Sequence, residues 1–128
     1  MAEEPNRNAL NWFEIPVVDF DRAKKFYGTI FDTELQLWEM GPIKFAMLPC
    51  GPGTGVGGAL LLEEGRKPST DGTTVYLNAN PDLAPILARV EAAGGKVLKP
   101  KTQVTEEIGY CAYFEDTEGN RVALHSQQ

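Results

Sequence analysis

Histidine is nearly missing from this 128-residue chain: His125 is the only one, and Cys50 and Cys111 are the only cysteines. A single histidine excludes a two-histidine iron or zinc site within one subunit, because those ions are held by several imidazole or thiolate donors. Two cysteines without a secretory leader do not make a disulfide scaffold, and they read as reduced, partly buried thiols. The first residues, Met1 to Asn8, are polar and acidic and lack the basic flank and apolar segment of a secretory signal; a frayed tail is expected there. Long apolar runs are missing too. The longest aliphatic stretch, Ala59 to Leu62, falls far short of the roughly 20 residues that span a bilayer. These absences predict a cytoplasmic protein with no membrane partner. There is no excess of cations either: 12 Lys and Arg stand against 18 Asp and Glu, a net charge of −6, and the basic residues are scattered. No nucleic-acid partner is expected.

What is present describes one globular domain, with 42% apolar and 23% charged residues. The most ordered stretch runs from Trp12 to Phe31. Phe13, Ile15 and Val17 alternate with Trp12, Glu14 and Pro16, the period of a strand packed on one side. From Asp19 the period changes. Phe20, Ala23, Phe26, Tyr27, Ile30 and Phe31 fall at helical spacing, with Asp19 as the expected N-cap and Asp21 adding charge near the positive end of the helix. Gly28 in mid-helix costs on the order of 1 kcal/mol relative to alanine, so close packing is expected there. Asp32-Thr33 should end the helix through a left-handed turn.

Glu34 to Met40 and Ile43 to Cys50 alternate around Gly41-Pro42 and read as a hairpin. A glycine-rich segment, Gly51 to Gly58, leads into a strand at Ala59 to Glu63, and Glu64 to Gly72 is a polar connection. The second half then repeats the pattern. Thr73 to Ala79 alternates as Trp12 to Val18 does, and Asp82 is expected to cap a helix carrying Leu83, Ile86, Leu87, Val90 and Ala93. Pro85 is tolerated in the first turn of such a helix, and Gly94-Gly95 closes it. Strands at Lys96 to Pro100, near Tyr113 and at Arg121 to Ser126 follow, with Asp116 to Asn120 as the last turn. Trp12 and Thr74 stand 62 positions apart. The expectation is an α+β fold of two tandem βαβββ modules, about 9–64 and 73–126, forming a half-open eight-stranded barrel with a central cleft.

The strand ending Ile-Pro-Val-x-Asp, the run Asp-Arg-Ala-x-x-Phe-Tyr (Asp21 to Tyr27), the segment Leu-x-x-x-Glu-Ala-x-Gly-Gly (Leu87 to Gly95) and the closing Asp-Thr-Glu-Gly-Asn-Arg-Val (Asp116 to Val122) resemble the vicinal oxygen chelate superfamily. That group includes glyoxalase I, bleomycin and fosfomycin resistance proteins and extradiol dioxygenases. The resemblance runs from about Asn11 to His125 and implies the fold more than the activity, because the recurring pieces are turns, caps and core. In metal-dependent members, inward His and Glu side chains of strands 1, 4, 5 and 8 hold one divalent ion. By resemblance those positions fall here on Trp12, on Gly58 to Leu62 with no ligand until Glu63, on Thr74 or Val75, and on Ala123. No cofactor or bound metal is therefore expected. The family commonly pairs, so a homodimer is expected.

Glu14 is the sharpest candidate. An inward carboxylate between Phe13 and Ile15 needs a partner, and Arg121, inward on the last strand, is the expected one. The pair either lines a wet cleft or places Glu14 for ligand recognition or acid–base work. His125 is a rim residue, a general base or, through a site with Glu14 and a third group, a metal ligand. Trp12, Trp38, Tyr76 and Tyr110, with Phe45, Met47 and Asn78, either line the cavity or belong to the core. The glycine-rich segment lacks the Lys-Ser or Lys-Thr and the following helix of a phosphate loop and reads as a lip over the cleft. Cys111 has no evident base and is not expected to be a nucleophile. The favoured function is a glyoxalase-like or bleomycin-resistance-like small-molecule-binding protein without a catalytic metal. The alternative is a lyase or isomerase using Glu14, metal-independent or with ligands shared across a dimer.

Overall fold

The computed structural model describes residues 8–51 and 55–128. The expected tail, apart from Asn8, and the centre of the expected lip, Pro52 to Thr54, lie outside the described residues.

The change of period at Asp19 is built as expected. Strand β1 (Trp12–Pro16) feeds helix α1 (Phe20–Ile30), and the Asp19 carboxylate accepts from the Arg22 amide at 3.1 Å, satisfying one free N–H of the first turn. Phe20, Ala23, Phe26, Tyr27 and Ile30 form its buried face. Gly28 is explained by close approach: a Cβ there would lie 2.8 Å from the Thr33 carbonyl oxygen as the chain doubles back. Asp32 takes a φ of 51°, the left-handed turn expected of it. Strands β2 (Gln36–Met40) and β3 (Ile43–Met47) pair around Gly41-Pro42. Strand β4 (Gly57–Leu62) begins two residues before the predicted Ala59, because β1 pairs with it from Trp12 opposite Gly57 onward.

In the second module β5 (Tyr76–Asn78) is shorter than predicted, although backbone bonds from Ala123 to Val75 and from Ala79 to His125 continue its pairing at both ends. Helix α2 (Ala84–Val90) starts later than Asp82 predicts. Leu83 occupies the cap position, fully buried, with its amide bonded to Ser126 Oγ at 2.9 Å. Asp82 instead accepts from Lys101 Nζ and from the Ala84 amide, both at 2.9 Å, and these bonds hold its carboxyl below the usual range. Burial of Leu83 overrides the local capping preference. Strand β6 (Lys96–Thr105) runs well past the predicted Pro100, a residue tolerated because this strand is the sheet edge. Strands β7 (Gly109–Glu115) and β8 (Arg121–Ser126) complete the chain.

The strand orders are β1-β4-β3-β2 and β5-β8-β7-β6, so the α+β expectation holds as two four-stranded sheets of equal topology. Both helices pack on one face of the sheets and touch each other over a core that includes Ile15, Phe26, Tyr27, Leu60, Leu77, Phe114 and Leu124. Strands β1 and β2 are the edges of the first sheet, and β5 and β6 those of the second.

The closing turn joins the two modules. Glu118 accepts from the amides of Val18 and Asp19 at 2.9 and 2.7 Å, from Arg22 Nε at 2.8 Å and from Thr117. Burial opposes its ionisation, but these donors hold the carboxyl below its ordinary value. Asp116 accepts from the Tyr27 hydroxyl at 2.7 Å and from the amides of Glu118 and Asn120, and Asn120 Nδ2 donates to the Pro16 carbonyl. Burial and the neighbouring Asp116 charge push the Tyr27 phenol well above its usual value. The most recognisable motif of the sequence is thus a structural clasp that holds the β1–α1 junction.

Candidate functional site

A cavity of about 810 Å³ lies between the unpaired edges of β1 and β5. That volume falls within the range of small-molecule sites. One wall is Phe13 to Pro16 with Gly57 and Gly58; the other is Thr74 to Asn78 with Arg121 and Val122. Leu10, Phe31, Leu48, Pro49 and Val56 make an apolar end. Arg66, Lys67 and Ser69, from the connection between β4 and β5, close the remaining side.

Of the residues expected at a site, the structure brings Glu14, Tyr76, Asn78 and Arg121 to this cavity. The expected Glu14–Arg121 pair does not form. Glu14 Oε2 accepts from Trp12 Nε1 at 3.2 Å, and Oε1 stands 3.7 Å from Arg66 Nη2. Arg66 also meets Glu63 at 3.5 Å. The connection that looks passive in sequence folds back along the cleft and delivers this guanidinium. Arg121 turns to its own sheet: Nη2 donates to Thr74 Oγ1 at 2.7 Å, and the guanidinium carbon lies 5.6 Å from the Tyr113 ring centre. Its Nε is buried with no partner, the one such side-chain atom among the described residues.

Tyr76 is half exposed, and its hydroxyl meets that of Tyr113 at 3.0 Å. That hydrogen bond, with some desolvation, raises the Tyr76 phenol above its ordinary value, so it stays protonated at neutral pH. Lys99 Nζ lies 5.2 Å from the other side of this pair, over the Tyr113 ring. Asn78 turns its Oδ1 to the Asn80 amide at 2.9 Å.

The other expected residues sit elsewhere. Trp12 does not line the cavity, though it bonds Glu14 and packs beside Gly57, which do. Trp38, Phe45 and Met47 share the first sheet's face turned away from the helices, with Trp38 and Phe45 ring centres 6.2 Å apart, and none lines the cavity. Tyr110 is a correction: it pairs with Ser126, packs against the core on the helix side, and has Lys101 Nζ 4.6 Å over its ring. One register step separates Tyr110 from the cleft-side residue Cys111, and the end of a strand predicted only loosely could not settle that step. His125 lies on the second sheet's open face opposite Asn78 and Cys111, its Nε2 2.6 Å from the Ile108 carbonyl, and does not reach the cavity. Cys50 is exposed and Cys111 buried, both free.

The residues at the family's ligand positions do not fit a divalent ion. The Trp12 indole only donates, the Thr74 hydroxyl is engaged by Arg121, Ala123 has no donor atom, and Glu63 is paired with Arg66. Among the described residues no three His, Cys, Asp or Glu side chains gather as a metal site would require. No described helix is long and apolar enough to cross a membrane.

Comparison with known proteins agrees with this architecture. A glyoxylase-like domain-containing protein of Didymella fabae is 27% identical over 117 residues, covering 90% of this chain and 91% of that protein. A glyoxalase/bleomycin resistance protein of Albidiferax ferrireducens T118 superposes with a TM-score of 0.69 at 18% identity, over 94% of this chain and 100% of that one. An E144Q mutant of Zea mays glyoxalase I gives a TM-score of 0.69 at 21% identity over 91% of this chain, which spans about half of the maize chain, 46%. At these identities the structural likeness establishes the fold. Residues 9–124 match the Glyoxalase/Bleomycin resistance protein/Dioxygenase superfamily, so the chain belongs to that family.

Proposed function

We propose that this is a cytoplasmic small-molecule-binding protein, working as one unit over residues 9–126 and as a homodimer, that takes its ligand between β1 and β5 without the family's chelated metal. The observation that carries the reading is the cavity itself: apolar Leu10, Phe31 and Val56 line it together with Arg66, Lys67 and Arg121, while the positions that the resemblance gives to metal ligands hold Trp12, Thr74 and Ala123. Such a lining accepts an apolar body and orients it by a few polar contacts. Exposed Leu37, Trp38 and Met40 on the edge strand β2 favour a second copy.

A thermal-shift screen of small aromatic and aliphatic compounds, with and without EDTA, tests the reading. Stabilisation unaffected by chelator is expected. Near-stoichiometric zinc, nickel, iron or manganese in protein purified without chelator, or stabilisation that vanishes with EDTA, overturns it. Light scattering giving a monomer mass would remove the dimer. The catalytic alternative draws on one observation, that the Glu14 carboxylate lines the cavity. Turnover of an identified substrate that is lost in Glu14→Gln and retained in Trp12→Phe would favour it.

A further inference from the structure

Three cations line the cavity, and their electrostatic situations differ. Arg66 is neutralised by Glu14 and Glu63. Lys67 is exposed and free to orient into water. Arg121 is half-buried and meets no acid within ion-pair distance among the described residues. Glu115 is its cross-strand neighbour on β7, yet forms no ion pair with it. Buried charges in proteins are ordinarily paired, and this chain has acids to spare. The guanidinium is also held in place. Thr74 fixes Nη2, the Tyr113 ring flanks the carbon, and Nε is buried with no hydrogen-bond partner. What remains is the outer Nη end of the fork, in a residue that lines the cavity.

Tyr76 stands next to it on the same wall. Two hydroxyls that share one hydrogen bond leave one O–H free, so Tyr76, when it accepts from Tyr113, can donate outward. A preset guanidinium edge beside a phenol donor, in a cavity that Leu10, Phe31 and Val56 also line, is the complement of a planar anion on an apolar body.

Resting on the binding role argued above, we propose that Arg121, positioned by Thr74 and Tyr113 and assisted by Tyr76, is the seat for the carboxylate of an aromatic or branched aliphatic acid. The acid supplies the counter-charge that the fold withholds from Arg121. Its body lies toward Phe13, Phe31 and Val56.

The test compares 1-naphthoate with 1-naphthamide, which keeps the shape and removes the charge, by isothermal titration calorimetry on the full chain. Naphthoate is expected to bind about 10- to 100-fold more tightly, the worth of one or two hydrogen bonds to a charged group. Arg121→Gln is expected to abolish that preference by bringing naphthoate down to about the amide's affinity, while Lys96→Gln, at an exposed cation away from the cavity, retains it. If Arg121→Gln fails to fold, Arg121→Lys and the wild-type comparison decide: Lys, lacking the planar fork, is expected to keep only part of the preference. Equal affinity for the two probes in wild type, or a preference that survives in Arg121→Gln, overturns the carboxylate seat while leaving the binding role in place. Binding of neither probe overturns both.

Discussion

The two modules share a backbone plan and differ in chemistry at matching positions. Glu14 opposite Ala59 corresponds to Tyr76 opposite Ala123, Pro16 opposite Leu61 to Asn78 opposite His125, and Met47 opposite Ala59 to Tyr113 opposite Ala123. On the face turned from the helices the first sheet therefore carries Phe45, Met47, Leu61 and Trp38, and the second carries Cys111, Tyr113, His125 and Arg121. Ala59 and Ala123, both fully buried, are the shared element. One scaffold thus carries a largely apolar open face on its first sheet and a hydrogen-bonding one on its second, and of these eight residues only Arg121 lines the cavity.

The turn that ties the halves together should be the most sensitive place to separate them. Asp116→Ala leaves the buried Tyr27 hydroxyl and two turn amides without their acceptor, and a loss of about 3 kcal/mol is expected in urea denaturation. A loss below about 1 kcal/mol would mean that the modules cohere through the helix contact alone.

The second test concerns helix-side packing, where the modules solve one volume problem differently. Phe13 opposite Gly58 corresponds to Val75 beside Val122, one large side chain over none against two of medium size. An added methyl at Gly58 overlaps the Phe13 ring, so Gly58→Ala should cost about 1–3 kcal/mol. Phe13→Val combined with Gly58→Val, which copies the second module's solution into the first, should recover part of that loss. No recovery would show that the two sheets are not interchangeable.

Acid titration gives a smaller effect. The donors around Glu118 hold its folded-state carboxyl below the ordinary 4.5, so its contribution to stability is complete above that pH. It is lost as pH falls through the lower folded value, because the unfolded chain takes up the proton first. Glu118→Gln should flatten stability against pH below 4.5, and an unchanged profile would contradict the clasp. At the alkaline end Tyr27 works in the opposite sense: its raised folded value makes stability decline once the unfolded phenol ionises above 10.0. The smallest change is expected at Trp38, 59% exposed, where Trp38→Ala should alter monomer stability by roughly 0.5 kcal/mol or less. The same variant should weaken self-association in light scattering if β2 meets a second copy.

Much of the fold was legible because local rules and burial agree. The strand-to-helix switch at Asp19, the left-handed Asp32 and the hairpin at Gly41-Pro42 follow from cap and turn chemistry that operates over a few residues. Asp82 is where local and tertiary preferences part: the chain offers a cap, and burial of Leu83 with Lys101 nearby takes it for another use. The site was half legible. Alternation put Glu14, Tyr76, Asn78 and Arg121 toward the cleft, but left Tyr110 open between cavity and core and could not assign Arg66 a destination.

By itself the sequence determined the element order and the repetition of two similar halves. Those are properties of spacing and residue type. Only the tertiary structure decided which charge meets which: Arg66 closes on Glu14, and Arg121 is left without an acid. Coulomb partners are chosen by distance across the fold, and the path of a polar connection carries no periodic signal from which that distance can be read.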